Sequence, residues 1–287
     1  MHTVAKEANR SVTAICRYFE ISRQAFYKNQ IARTHRKVNE ELIVNLVSQE
    51  RAINPRAGTK KLLYAIRPEL ESAGIKIGRN RLGALLKRRG LLVEPRKRFH
   101  CRTTKQDPSL MPSKNLVKDL KISAPSQAVC ADITYIYTDE GFIYLSLVMD
   151  MFARDIVGYA ISDTLETEPG PLKALEMAAK TLDCSNVIAH SDRGCQYASH
   201  AYRELLKALG WQSSMTEELH CYENAMAERL NGILKGEYFL DQYFKTKTDA
   251  IKAITQTIMI YNTRRLHENL NYLTPMEFRK HWQKDVA

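Results

Sequence analysis

The sequence predicts an α/β fold, a mixed-sheet domain preceded by all-α segments, and three observations carry that expectation. Residues 121–245 hold three consecutive strand-like stretches followed by alternating helix and strand patterns. Residues 11–93 show helical periodicity alone, punctuated by Gly and Pro. The charge divides along the same line. Residues 1–105 hold 24 Lys and Arg against 8 Asp and Glu, whereas the remaining 182 residues hold 19 against 24.

A basic front half and a mildly acidic back half predict a division of labour between nucleic-acid binding and a second task. A solubility role for the charge is the competing reading. No apolar run approaches the ~18 residues of a membrane span, and the N-terminus lacks a signal-peptide pattern, so a cytoplasmic protein is expected. Six cysteines are scattered without a C-x-x-C pair or zinc-finger spacing, which reads as free thiols in a reducing compartment.

Taken in order, residues 11–28 (SVTAICRYFEISRQAFYK) read as a helix-turn-helix. Ser11 and Ser22 are its expected caps, and Arg23, Gln24 and Lys28 on the second helix are candidate DNA contacts. A helix at about 36–50 follows, with Val38, Leu42, Ile43, Leu46 and Val47 as its apolar stripe. Asn54-Pro55 and Gly58 break it, and residues 59–93 form a second helical pair. There Leu82, Leu85 and Leu86 face inward and leave Arg79, Arg81, Lys87, Arg88 and Arg89 outside. Five cations on one short helix repel each other unless a polyanion accepts them, so they too are candidate DNA contacts. The expected divisions are a helix-turn-helix at 1–33, a second helical DNA-binding domain at 34–95 and a basic linker at 96–120.

Beyond the linker, AVCADITYIYT (128–138), FIYLSLVMDMF (142–152) and DIVGYAIS (155–162) alternate as strands, the first two joined by a DEG turn. Thr167 as cap and Pro169 in the first turn announce a helix to about Leu182. NVIAHSD (186–192) is a short buried strand, Ser199 caps a helix through Leu209, WQSSM is a last strand, and CYENAMAERLNGILKGE (221–237) is the helix after it. Three antiparallel strands, then helix-strand-helix-strand-helix, is the order of a ribonuclease-H-like fold, here at 121–245. Residues 246–287 form a helical extension, with a helix at about 249–264 and a Thr274–Glu277 capping box opening a final short one.

Two aspartates and a glutamate stand out. Asp132 lies mid-strand among apolar neighbours, where an unpartnered carboxylate is costly; a hydrogen-bonded structural role is the alternative. Asp192 ends a buried strand, where scaffolds place catalytic groups, and Arg193 and Gly194 follow it; a turn-forming aspartate is the alternative. On the last core helix, Asn224, Glu228, Asn231 and Lys235 form one polar stripe beside apolar Ala227, Leu230 and Leu234. Glu223 and Glu237 read as solvated. Three converging carboxylates offer hard oxygen ligands to Mg²⁺ or Mn²⁺, and two such ions suit in-line phosphoryl displacement. Asn231, Lys235 and Arg193 are the expected DNA contacts around them. Phosphate-loop, H-E-x-x-H and nucleophile-elbow motifs are absent.

ADITYIYT, LVMDMFARDIVGYAIS, HSDRGCQYAS, CYENAMAERLNGILKGE and YNTRRLHENLNYLTPMEF together resemble the integrase-like DDE transposases of bacterial insertion sequences, specifically the second-reading-frame product of the IS-three family. The resemblance spans essentially the whole chain. It maps the family triad onto Asp132, Asp192 and Glu228, the last two separated by 35 residues, and the family's basic residue onto Lys235. It implies a ribonuclease-H-like core of the retroviral integrase superfamily that cuts DNA at element ends with divalent metal and joins the freed 3′-hydroxyl to another strand. It further implies double-stranded DNA (terminal inverted repeats and target) as partner, a homo-oligomer on that DNA, and fusion with or dependence on an upstream reading-frame product. One departure is Val129, where the family usually has tryptophan; packing is expected to differ there. A DNA-binding regulator or inactive transposase remnant is the alternative. A tyrosine or serine recombinase lacks its Arg/His/Tyr grouping.

Overall fold

The structure, a computed structural model, describes residues 11–94, 113–217 and 224–286. Most of the expected linker, Glu223, Cys101 and Cys221 therefore lie outside the described residues. Two units are distinguished. One gathers the described residues up to Ala52 with Gly58–Leu92; the other joins Ile53–Ala57 to the described residues from Val93 onward.

In the first unit, α1 (Val12–Tyr18) and α2 (Arg23–Ile53) are capped as expected: Ser11 Oγ accepts from Ala14 N–H at 3.2 Å and Ser22 Oγ from Ala25 N–H at 3.0 Å. The expected break between residues 28 and 36 does not occur. A single helix of 31 residues runs through it, so the division at 33/34 falls inside α2. Nothing in that stretch stops a helix, because Thr34 turns its hydroxyl back onto Gln30 O at 3.1 Å instead of capping a new one. Residues 31–39 are all exposed. Phe26 is buried on one side of this bare stretch and Ile43 and Val47 on the other. Val38 and Leu42, placed in the apolar stripe by their spacing, are 62% and 37% exposed.

Helices α3 (Thr59–Ala65), α4 (Arg67–Ser72) and α5 (Arg79–Arg88) bury Leu62, Leu70, Leu82, Leu85 and Leu86. On α5, Arg88 meets Glu40 at 2.8 Å and Arg89 pairs with Glu41. Mutual repulsion on this helix is thus relieved partly from within the chain, although exposed pairs of this kind contribute little to stability.

The second unit is built on a five-stranded sheet of order β3-β2-β1-β4-β5. Strands β1 (Ala128–Thr138), β2 (Gly141–Asp150) and β3 (Ile156–Ser162) are antiparallel, while β4 (Ile188–Ser191) runs parallel to β1 and β5 (Gln212–Met215) parallel to β4. The connections are α6 (Lys173–Leu182), α7 (Cys195–Ala198), α8 (His200–Ala208) and α9 (Ala225–Glu237); α10 (Lys247–Thr263) and α11 (Pro275–Val286) follow. This is the ribonuclease-H-like order. Thr167 does not cap. It is itself helical and leads into a five-residue π-helical turn, Glu168–Leu172, that contains Pro171. The single turn α7 is an addition that four residues could not announce by periodicity.

Alternation along β1 assigns its two faces. Val129 and Ala131 join the core beneath α6 and α8, whereas Cys130 and Ile136 join Leu230, Leu234 and Ile254 of α9 and α10. Val129, fully buried, therefore lies on the opposite face from Asp132, and the family's missing tryptophan is a matter of packing. Helix α6 presses directly onto β3 at Gly158, where a Cβ would lie 2.1 Å from Ala174 O. The four described cysteines, Cys16, Cys130, Cys184 and Cys195, are free.

Buried ion pairs fasten the C-terminal extension, and the spacing of apolar residues gave no sign of them. Arg279 of α11 donates to both oxygens of Asp155, at 2.7 and 2.8 Å, and reaches Asp150 at 2.9 Å. Glu237 is not solvated: both of its oxygens accept from Arg265, at 2.9 and 2.7 Å, and the Arg265 side chain is only 5% exposed. Glu237→Gln is accordingly expected to cost about 3 kcal/mol, the low end for an uncompensated buried charge, because Glu237 itself is partly exposed. Chemical denaturation would measure this loss, and cutting per folded molecule should be retained.

Candidate active site

Strand register brings the two aspartates level. Cys130 pairs with His190 in the parallel β1–β4 ladder, so two residues further along each chain Asp132 comes opposite Asp192. Asp132 is partly reachable at the surface, yet protein atoms crowd its carboxylate, which occupies a recess rather than a sealed cavity. Its Oδ1 accepts from Ile133 N–H at 2.9 Å and its Oδ2 from Asn231 Nδ2 at 2.6 Å. Asn231 was expected at the DNA; here it clamps the first aspartate.

Asp192 begins the loop after β4. Its Oδ1 accepts from Gly194 N–H at 3.0 Å. Arg193 is turned by a 2.7 Å bond from its Nε to Thr216 O, which ties this loop to the end of β5. Behind it, fully buried His190 and Ser214 are hydrogen-bonded at 2.9 Å. Glu228, in the first turn of α9, is exposed at the rim of the recess. One turn earlier Asn224, the N-cap residue, is buried; its Oδ1, like the buried Oδ1 of Asn231, has no hydrogen-bond partner among the described residues. Lys235 places its ammonium 4.4 Å from the centre of the Tyr135 ring, an aromatic seat that aims the cation and that its spacing could not reveal.

These groups feel one another. Burial first, then the charge of Asp192 and less strongly that of Glu228, push the Asp132 carboxyl up to about 7, against the hydrogen bonds from Ile133 and Asn231. Among the described residues the three carboxylates are not gathered into a closed ligand set. The donor chemistry nonetheless fits a divalent cation: all the donors are hard oxygens, two buried amide oxygens lack partners among the described residues, and a bound cation would relieve the repulsion that raises Asp132.

The remaining candidates lie elsewhere. Arg23, Gln24 and Lys28 are exposed on α2, and Arg79, Arg81, Lys87, Arg88 and Arg89 on or at the end of α5. No described helix is long and apolar enough to cross a membrane.

Residues 123–221 and 209–275 each match a family model described as an integrase core domain. The chain is 33% identical over 279 residues to an uncharacterized 31 kDa protein of insertion element IS600 from Shigella sonnei, covering 95% of this chain and all of that protein. It is 32% identical over 213 residues to the transposase of insertion sequence IS904 from Lactococcus lactis, covering 74% of this chain and 84% of that one. Against the transposase InsF of insertion sequence IS3A from Escherichia coli it is 29% identical over 275 residues, 95% of each chain. Similarity of this extent, laid over this sheet and these carboxylates, shows that the chain belongs to the IS3-type insertion-sequence transposases, DDE polynucleotidyl transferases with an integrase core.

Proposed function

We propose that this transposase binds the ends of its element and cuts and joins DNA strands at Asp132, Asp192 and Glu228, which hold two Mg²⁺ or Mn²⁺ ions. The observation that carries the assignment is geometric: the β1–β4 register sets Asp132 level with Asp192, and Asn231, three residues after Glu228 on α9, bonds the Asp132 carboxylate at 2.6 Å. The ions, when bound, supply Lewis acidity to the attacking and leaving oxygens. The chain supplies orientation. Asn231 fixes the rotamer of Asp132, Gly194 N–H holds Asp192, and Lys235 on its tyrosine seat meets the phosphate. Incubating the protein and Mg²⁺ with DNA carrying the terminal inverted repeats, then sequencing the products, tests this. New 3′ ends at the element boundary and joints to a second strand are expected; intact DNA with folded protein would leave a DNA-binding protein alone. In this reading the enzyme works as a homo-oligomer on DNA, alone or with an upstream reading-frame product, and running the assay with and without that product separates the two.

End binding falls to the basic helical unit, through Arg23, Gln24 and Lys28 on α2 and the cations of α5. Arg88 and Arg89 are already engaged by Glu40 and Glu41, so Arg79, Arg81 and Lys87 carry most of the phosphate contact on α5. Arg81→Ala with Lys87→Ala should weaken binding of any duplex and reduce the slope of log K against log salt by about 2, one for each phosphate released. Arg88→Ala should change the slope less. Retardation assays across a salt series check both, and an unchanged slope for the double variant would move the interface off α5.

A further inference from the structure

We propose that Tyr197 is a positioning residue of the strand-cutting site: its hydroxyl donates a hydrogen bond to the Asp132–Asp192 carboxylate pair and fixes the spacing at which that pair takes a divalent cation. The inference rests on the carboxylate reading above. Tyr197 belongs to α7, the helical turn that follows Asp192 and Gly194, and is 2% exposed. Its N–H bonds Gly194 O at 3.1 Å, and its ring stands edge-to-face on Tyr202 with centres 5.2 Å apart. A Cβ on Gly194 would lie 3.0 Å from Asp192 Oδ1 and 3.6 Å from Tyr197 Cδ2, so carboxylate and ring border the same gap.

A phenol this deeply buried ordinarily finds a partner. The Tyr197 hydroxyl has none among the described residues. Burial, then the charges of Asp132, Tyr202 and Asp192, hold its pKa well above the ordinary tyrosine value, so it remains a neutral donor at any working pH. Phenylalanine would fill the same space without burying an orphan hydroxyl. The hydroxyl's use lies in the state in which Asp132 and Asp192 move together around an ion. A shift of either carboxylate toward the hydroxyl then completes the bond and satisfies a buried polar atom that otherwise has no partner among the described residues.

The test uses the full chain and Mn²⁺ as probe, with free ion read by electron paramagnetic resonance in the absence of DNA. Tyr197→Phe should raise the Kd for Mn²⁺ by about tenfold, the loss of one hydrogen bond to a charged group. The half-saturating Mn²⁺ concentration for strand cutting should rise by the same factor, with the rate largely recovered at saturating ion. The melting temperature of the cation-free protein should be unchanged or higher. An unchanged Kd in Tyr197→Phe overturns the proposal, as does a Kd weakened in Tyr197→Leu but not in Tyr197→Phe, which would assign the residue to packing. Asp192→Asn separates the two levels of the argument. If it leaves Mn²⁺ affinity intact, the carboxylate site itself is misplaced; if it abolishes binding while Tyr197→Phe does not alter it, only the tyrosine's role falls.

Discussion

Glu228→Gln lowers strand cutting by several orders of magnitude and leaves the melting temperature almost unchanged: that is the expected result for a glutamate exposed at the rim, whose contribution is charge toward the recess and not packing. The isosteric amide keeps the helix and its polar stripe. A second readout is independent of activity. Glu228 is one of the groups holding Asp132 near 7, so in Glu228→Gln the Asp132 carboxyl should titrate at lower pH, although burial and Asp192 keep it above the ordinary value. The sign for stability follows. A carboxyl whose folded pKa is raised binds its proton more tightly folded than unfolded, so the cation-free protein loses stability as pH rises from about 4 to about 7. That loss should be smaller in the variant. Carbon-13 titration of the aspartates and melting curves at several pH values, all without divalent ion, measure the two effects. An Asp132 titration indifferent to Glu228 would place the helix rotated away from the recess.

The largest effect on stability is expected from Arg279→Met. Asp150 is fully buried and accepts from the N–H groups of Ser126, Phe152 and Ala153 at 2.6, 2.8 and 2.8 Å, while Asp155 relies on Arg279 for both oxygens. Removing the guanidinium strands two buried carboxylates beside each other, at a cost of about 3–5 kcal/mol. Burial already outweighs Arg279 and holds the Asp155 carboxyl above its usual value. In the variant the deficit should therefore be greatest at neutral pH and shrink on acidification, as protonation removes the unpaired charge. Denaturant melts at neutral and mildly acidic pH check both magnitude and direction. A double variant that also replaces Asp155 with Asn should recover part of the loss.

The sheet was legible in the sequence because each strand buries one or both faces and each turn carries its own chemistry; β1 begins and ends where alternation placed it. The capping hydroxyls of Ser11, Ser22, Ser199 and Thr274 were legible too, since a cap is a local contract between a side chain and the amides of the next turn. Long-range polar partners were not. Glu237 looks like any solvated helical glutamate until Arg265 arrives from 28 positions away, and Asp150 like a strand end until α11 delivers Arg279. In the site, the stripe of Glu228, Asn231 and Lys235 could be read from helical spacing. What Asn231 and Lys235 touch depends on how α9 lies against β1, which periodicity does not encode. The break expected in α2 failed for the opposite reason: the apolar stripe lapses between residue 28 and about 36, but Ala32, Arg33, Arg36 and Lys37 are competent helix formers that need no packing to continue a helix already begun.

That bare stretch of α2 has a mechanical meaning. Residues 31–39 join two buried patches by a stretch of helix exposed at every position, and a helix advances about 1.5 Å and turns about 100° with every residue. The separation of the patches and their rotational phase are therefore locked to a single integer, the residue count between them. One inserted residue would barely lengthen the bridge yet would swing one end by more than a quarter turn. Seven would restore the phase almost completely while adding about 10 Å. The bridge between the two patches is thus geared: its length changes cheaply only in steps that also return the helix to its starting phase.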